Sequence, residues 1–146
     1  MAVFLLQRST ALTVPDCWDR LTDWRRHGDR MPFTTVAPVS GTGRAVGEVV
    51  LARTAVGRWG FDDPMEIVAF TPPGEGGAGL CRLEKRGQSV RGWAELRVRR
   101  RDSGVGADVL WVEEIRVRGV PAAFDPITAA TCRVLFGRAL AGVLAD

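Results

Sequence analysis

Residues 125–145, DPITAATCRVLFGRALAGVLA, decide how the rest of the chain is read. Asp125 suits an N-cap and Pro126 the first helical position, and the next break signal is the end of the chain, so the stretch predicts one helix of about 20 residues, roughly 30 Å long. Cys132, Leu135, Phe136, Ala139, Leu140 and Val143 recur at helical spacing as one apolar stripe, with Thr131 and Arg138 on the other side. A helix this long in a chain of 146 residues needs a broad apolar surface to lie on. The strand-rich middle of the chain supplies one. The expected class is α+β, a curved antiparallel sheet packed around this helix.

The strand leading into the helix is the clearest. In Val109 to Val117 one face is Val109, Trp111, Glu113, Ile115 and Val117; the other is Leu110, Val112, Glu114 and Arg116. The first face is the more apolar and carries Glu113 inward, which is costly unless the carboxylate meets a partner or water. Upstream, turn residues punctuate a meander: Glu48 to Val56, Arg58 to Asp62, Met65 to Thr71 after Asp63-Pro64, Leu80 to Arg86, and Val90 to Arg101. In Val90 to Arg101, Leu96 and Val98 alternate with Arg97 and Arg99, which places the arginines in solvent, while a bulge near Gly92 would change the facing of Trp93 and Glu95. With Ala2 to Ser9 as a first strand and Phe33 to Val39 as another extended stretch, the sheet has about six or seven strands. Thr13, Pro15 and Asp16 start a short helix, and a second runs from Asp23 until Gly28 and Pro32 stop it. Pro72 to Gly79 reads as a hairpin loop.

Composition bounds the function. The chain has the length of one domain, 1–146. A net charge of +3 lacks the basic excess of nucleic-acid binders. Cys17, Cys81 and Cys132 are odd in number and widely spaced, and His27 stands alone, so neither disulfides nor a metal site is expected. No run of 18 apolar residues and no signal-peptide core occurs, which predicts a cytoplasmic protein without stable membrane insertion. Gly41 to Gly47 has the wrong glycine spacing for a dinucleotide loop and precedes a strand. Arg97 to Arg101 reads as a solvated hairpin end.

The order of strand, two short helices, long meander and C-terminal helix resembles the helix-grip fold of the START and polyketide cyclase/dehydrase (SRPBCC) superfamily. Trp18-Asp19-Arg20-Leu21-Thr22-Asp23 followed by Trp24 is similar to the segment after the first strand of these proteins. Gly57 to Asp63 is similar to their middle hairpin, and Lys85 to Gly92 and Trp111 to Ile115 resemble later strands of actinobacterial members. The resemblance implies a deep, largely apolar cavity between the sheet and the last helix, of the kind relatives use for lipids, sterols, polyketides or other hydrophobic molecules; the ligand expected here is a polyketide, lipid or isoprenoid-like molecule, with no cofactor and a monomer or homodimer.

For that cavity the ligand-binding candidates are Trp59, Trp93, Trp111 and Phe136, with Cys132 and Leu140 from the helix stripe; the competing reading is plain core. Glu113 is the candidate acid/base, the alternative function being a polyketide cyclase or dehydratase acting through a cavity carboxylate. Its competing reading is a surface pair with Arg82, Arg97 or another cross-strand arginine. The absence of tyrosine removes any ring-forming site that needs a phenol. His27 is expected at a helix end, partly solvated, and Asp62 and Asp63 in a turn. Periodicity leaves the facing of Arg82 and Glu84 open.

Overall fold

Strand alternation in the middle of the chain is realised as one antiparallel sheet. The computed structural model describes residues 1–75 and 77–145, so Gly76, inside the Pro72 to Gly79 loop, lies outside the described residues. The elements are β1 (Ala2–Thr10), α1 (Val14–Leu21), α2 (Trp24–Asp29), β2 (Thr34–Pro38), β3 (Val49–Val56), β4 (Trp59–Thr71), β5 (Ala78–Lys85), β6 (Val90–Arg100), β7 (Ala107–Val117), a short 3-10 turn (Ala122–Phe124) and α3 (Asp125–Leu144). The strand order is β1-β7-β6-β5-β4-β3-β2. The first strand pairs with the last, Phe4 opposite Glu113, and the curved sheet holds α3 in a helix-grip arrangement.

Two expectations about the strands are corrected. β6 and β7 pair in unbroken register from Val90↔Val117 to Arg100↔Ala107, so no bulge occurs at Gly92; the irregularity lies in β4, between Ile67 and Ala69. The Asp63-Pro64 pair does not break the chain into two strands, because β4 runs through it. Pro64 is tolerated because the Trp59–Pro64 half of β4 pairs only with β3, the β4–β5 ladder beginning at Met65↔Lys85. Proline there removes no ladder hydrogen bond, and its carbonyl still accepts from Arg86 N–H at 2.8 Å.

α1 begins as read, with the Thr13 hydroxyl accepting from Asp16 N–H at 3.2 Å. α3 has the expected 20 residues, but its N-cap is Phe124 and Asp125 sits in the first turn. There Asp125 pairs with the Met1 ammonium at 2.6 Å, a carboxylate at the positive end of the helix. At the other end, Arg20 donates to the carbonyls of Leu144 (3.1 Å) and Ala145 (2.6 Å), and Arg26 to those of Val143 (3.3 Å) and Ala145 (3.2 Å). These bonds satisfy carbonyls that a helix end leaves orphaned.

The stripe on α3 splits in two. Gly137, Ala139, Leu140 and Val143 are buried, whereas Cys132, Leu135 and Phe136 are half-buried. Residues 122–144 are long and apolar enough to cross a membrane by length and composition, with Arg133 and Arg138 interrupting the run. In the fold this helix packs along β1 and touches α1 and α2. Its other side leaves Ile127 and Val134 exposed. The glycine-rich loop before β3 has a structural role: Glu48 accepts from Gly43 N–H at 2.9 Å, and Trp24 Nε1 donates to the Gly43 carbonyl at 2.7 Å.

Candidate functional site

The inner face of the sheet does not close fully on α3. Between them lies a cavity of about 280 Å³, near the lower edge of the roughly 300–1,000 Å³ range of small-molecule sites. Its walls are mostly apolar: Val36, Leu83, Leu96, Ile115, Leu135 and Phe136 among others. The wall residues most open to solvent, Pro32 and Phe61, lie at one end with Thr34 and Thr54 between them, where Thr34, Thr54 and Phe61 form one row across β2, β3 and β4. A wider hollow of about 800 Å³ lies on the outer sheet face among Arg8, Arg97, Arg99 and Asp108. Its polar side chains are largely exposed, so it is an open depression and not an enclosed cavity.

Three charged side chains meet in the cavity wall. Lys85 Nζ lies 2.6 Å from Asp63 Oδ2 and 3.0 Å from Glu113 Oε1, and Trp111 Nε1 donates to Glu113 Oε2 at 3.1 Å. Asp63, Lys85 and Glu113 are 8%, 7% and 3% exposed. The sheet register explains how side chains from three strands converge. β5 and β6 pair up to Glu84↔Trp93, which sets Gly92 abreast of Lys85, while Ala94 lies opposite both Leu83 and Glu113. Glycine and alanine at those two places leave a lane over β6 through which Lys85 reaches β7. Gly92 has φ +130°, and a Cβ there would collide with the Glu114 carbonyl oxygen, so no other residue fits.

Burial pushes the Glu113 carboxyl above the ordinary carboxylate range against the pull of Lys85, and does the same to Asp63. For Lys85, burial works toward losing the proton, but the attraction of Glu113 and Asp63 outweighs it and holds the ammonium charged. Two carboxylates around one fixed cation thus share a raised affinity for a proton. Among the described residues, Asp63 Oδ1 is the one buried side-chain oxygen or nitrogen without a hydrogen-bond partner.

An aromatic wall adjoins this group. The His27 ring is 5.4 Å from Trp24 and 5.6 Å from Trp111, whose ring is 5.4 Å from Phe136, itself stacked on Phe4 at 5.3 Å. His27 is 5% exposed, correcting the expectation of a partly solvated helix end. Its Nε2 donates to the Leu21 carbonyl at 2.7 Å, and burial lowers its pKa, so it is a neutral Nε2–H imidazole. The Cys132 thiol is pushed up to about 11 by burial first, then by Glu113.

Of the expected site residues, Trp111, Glu113, Cys132 and Phe136 come together in the cavity wall. Trp59 and Trp93 do not. Trp59 is 78% exposed at the start of β4, next to the tight Gly57 turn. Trp93 lies on the outer face, because the unbroken β6 register puts Ala94 and Leu96 inside; its ring packs under Arg82 at 4.4 Å and its N–H donates to Glu114. Leu140 is fully buried in the core and does not line the cavity. The facing left open is settled: Arg82, Glu84 and Glu95 form an outer-face ion cluster, and Glu113 pairs with neither Arg82 nor Arg97. Sequence reading missed Lys85 and expected Asp63, with Asp62, in a turn, whereas both aspartates lie within β4 and Asp63 is buried. Lys85 had a signal, being the one lysine among 20 basic residues. Asp63 was hidden by its proline neighbour.

No family model and no curated protein matches the chain. Solved structures do. Ara h 8.0201 aligns with a TM-score of 0.65 at 12% identity over 99% of this chain and 98% of its own. The protein XoxI from Bacillus cereus gives 0.66 at 12% over 99% and 94%. A protein from Chromobacterium violaceum gives 0.65 at 11% over 99% and 96%. Similarity at these identities shows a shared fold over nearly the full length of each chain.

Proposed function

We propose that this chain is one SRPBCC-type domain over residues 1–146 that encloses a hydrophobic small molecule between its sheet and α3. The carrying observation is the apolar cavity with three buried charged groups set into one wall. A domain selected only for stability has little use for a buried ion cluster beside open apolar space, since a well-packed apolar substitute is commonly as stable or more so. Trp111, Cys132 and Phe136 supply apolar contact and Asp63, Lys85 and Glu113 the polar end. A lipid, polyketide or isoprenoid-like ligand fits the lining, and three unpaired thiols are in keeping with a cytoplasmic site of action.

Native mass spectrometry of gently purified protein, with solvent extraction of bound material, tests this reading. The expected result is an adduct of a few hundred daltons that unfolding releases. A bare chain mass, together with failure of a neutral phenyl-naphthylamine dye to bind, would overturn it.

The second reading is a cyclase or dehydratase with Glu113 as acid/base, favoured by that carboxyl's raised proton affinity inside the cavity. Under it, Glu113→Gln abolishes turnover of a polyketide-like substrate while retaining binding. Under the carrier reading the same variant changes affinity alone.

A further inference from the structure

The polar end of the cavity is asymmetric in what it offers a ligand. Its donors are already committed. The three N–H groups of Lys85 have three partners: Asp63 Oδ2, Glu113 Oε1 and Met65 Sδ, the last at 3.7 Å. Trp111 N–H goes to Glu113, His27 Nε2–H to the Leu21 carbonyl and Trp24 N–H to the Gly43 carbonyl. At the mouth, Thr34 donates to the Pro32 carbonyl at 2.9 Å, and the Thr34 and Thr54 hydroxyls pair at 3.0 Å.

Acceptor capacity, by contrast, is left over. Asp63 lines the cavity at 8% exposure, and its Oδ1 has no partner. Charge runs the same way: two carboxylates face one ammonium, so the cluster carries an uncompensated negative charge when both are ionised. A buried acceptor without a donor is costly, and a ligand that supplies one recovers that cost on binding. An anionic ligand finds only the weak S–H donor of Cys132 beside these committed groups, and meets like charge.

We infer that the ligand of this cavity ends in a hydrogen-bond donor, a protonated amine or a hydroxyl, set against the Asp63 carboxylate, whose buried Oδ1 turns toward the cavity to accept it, and that the cavity rejects carboxylates. The inference rests on the cavity being a ligand site. It makes Asp63 a specificity-determining residue and Lys85 a positioning residue that fixes Asp63 and Glu113 in place. The ligand is then an aliphatic or aromatic amine or alcohol of about ten to fifteen heavy atoms, a size in keeping with a cavity at the low end of the usual range.

The test is a straight-chain series of about ten heavy atoms each, nonylamine, nonanol, nonanoic acid and decane, competed against the neutral phenyl-naphthylamine dye on the full chain at neutral pH. The amine and the alcohol are expected to displace the dye at least tenfold more effectively than the acid or the alkane. Asp63→Asn, which keeps the size and leaves the Lys85–Glu113 pair neutral, should abolish the advantage of the amine over the acid. Should that variant fail to fold, the wild-type ranking decides alone. Nonanoic acid or decane binding as well as the alcohol overturns the inference while the cavity reading stands. If neither the dye nor any member of the series binds, both fall together.

Discussion

Lys85 sits at the centre of the site, and its neighbours make its removal measurable. Lys85→Met leaves two carboxylates buried without a cation, so urea unfolding at pH 7.5 should show a loss of about 3–5 kcal/mol. The sign of the pH dependence follows from the raised carboxyl pKa values of Asp63 and Glu113. A carboxyl whose folded pKa lies above its unfolded value stabilises most below the unfolded value and loses that contribution as pH rises through the folded one. Without Lys85 the folded values rise further, so the penalty should shrink as pH falls from 7.5 to 4.5; a penalty that stays constant would show that these groups do not share a proton. His27 runs oppositely. Its pKa is lowered by burial, so its contribution is present above the unfolded value of 6.5 and lost as pH falls toward the folded one. As the only histidine, it gives an unambiguous NMR titration, expected below 6.5 with the proton on Nε2. A midpoint at or above 6.5 would contradict the buried, neutral ring.

Among the elements, β6 and α3 do most to build the site. Gly92 keeps β6 in register at φ +130° and leaves the lane that Lys85 crosses. Gly92→Ala should cost about 3 kcal/mol through strain and collision with the Glu114 carbonyl, read as a lower urea midpoint. It should also weaken dye binding, because the strand cannot move without shifting Glu113. For α3, the C-terminal carbonyls are held by arginines from the two short helices. Arg26→Ala should loosen the last turn by about 1 kcal/mol, seen as faster amide exchange in residues 141–144, with exchange at 132–136 little changed. The helix and its length were legible in residues 125–145, and so was the inner face of β7. The strand through Pro64 was not, because a proline is excluded or tolerated according to where the neighbouring ladder ends, which the local residues do not reveal.

For the whole molecule, the cavity links ligand and stability. A ligand at a hundred times its dissociation constant adds about 2.7 kcal/mol to the unfolding free energy, so saturating dye should raise the melting temperature measurably. Ala94→Leu places a large side chain beside Leu83 and Glu113 in the cavity wall. It should remove both dye binding and the thermal shift while far-ultraviolet circular dichroism stays unchanged. Retained binding in that variant would place the ligand elsewhere, the outer-face hollow being the first place to look.

The sequence alone determined the parts whose physics is local: a long apolar helix, strands of alternating facing, and the inward direction of Trp111 and Glu113, since periodicities of 3.6 and 2 are written into neighbouring residues. Only the tertiary structure decided which of five tryptophans face the ligand space, and that Asp63, Lys85 and Glu113, far apart in the chain, share one ion cluster. Such groups are brought together by strand order and register, which depend on pairings across the whole sheet. Whether a buried charge finds its partner is therefore settled by the assembled fold, because the residues beside it in sequence point to the opposite face.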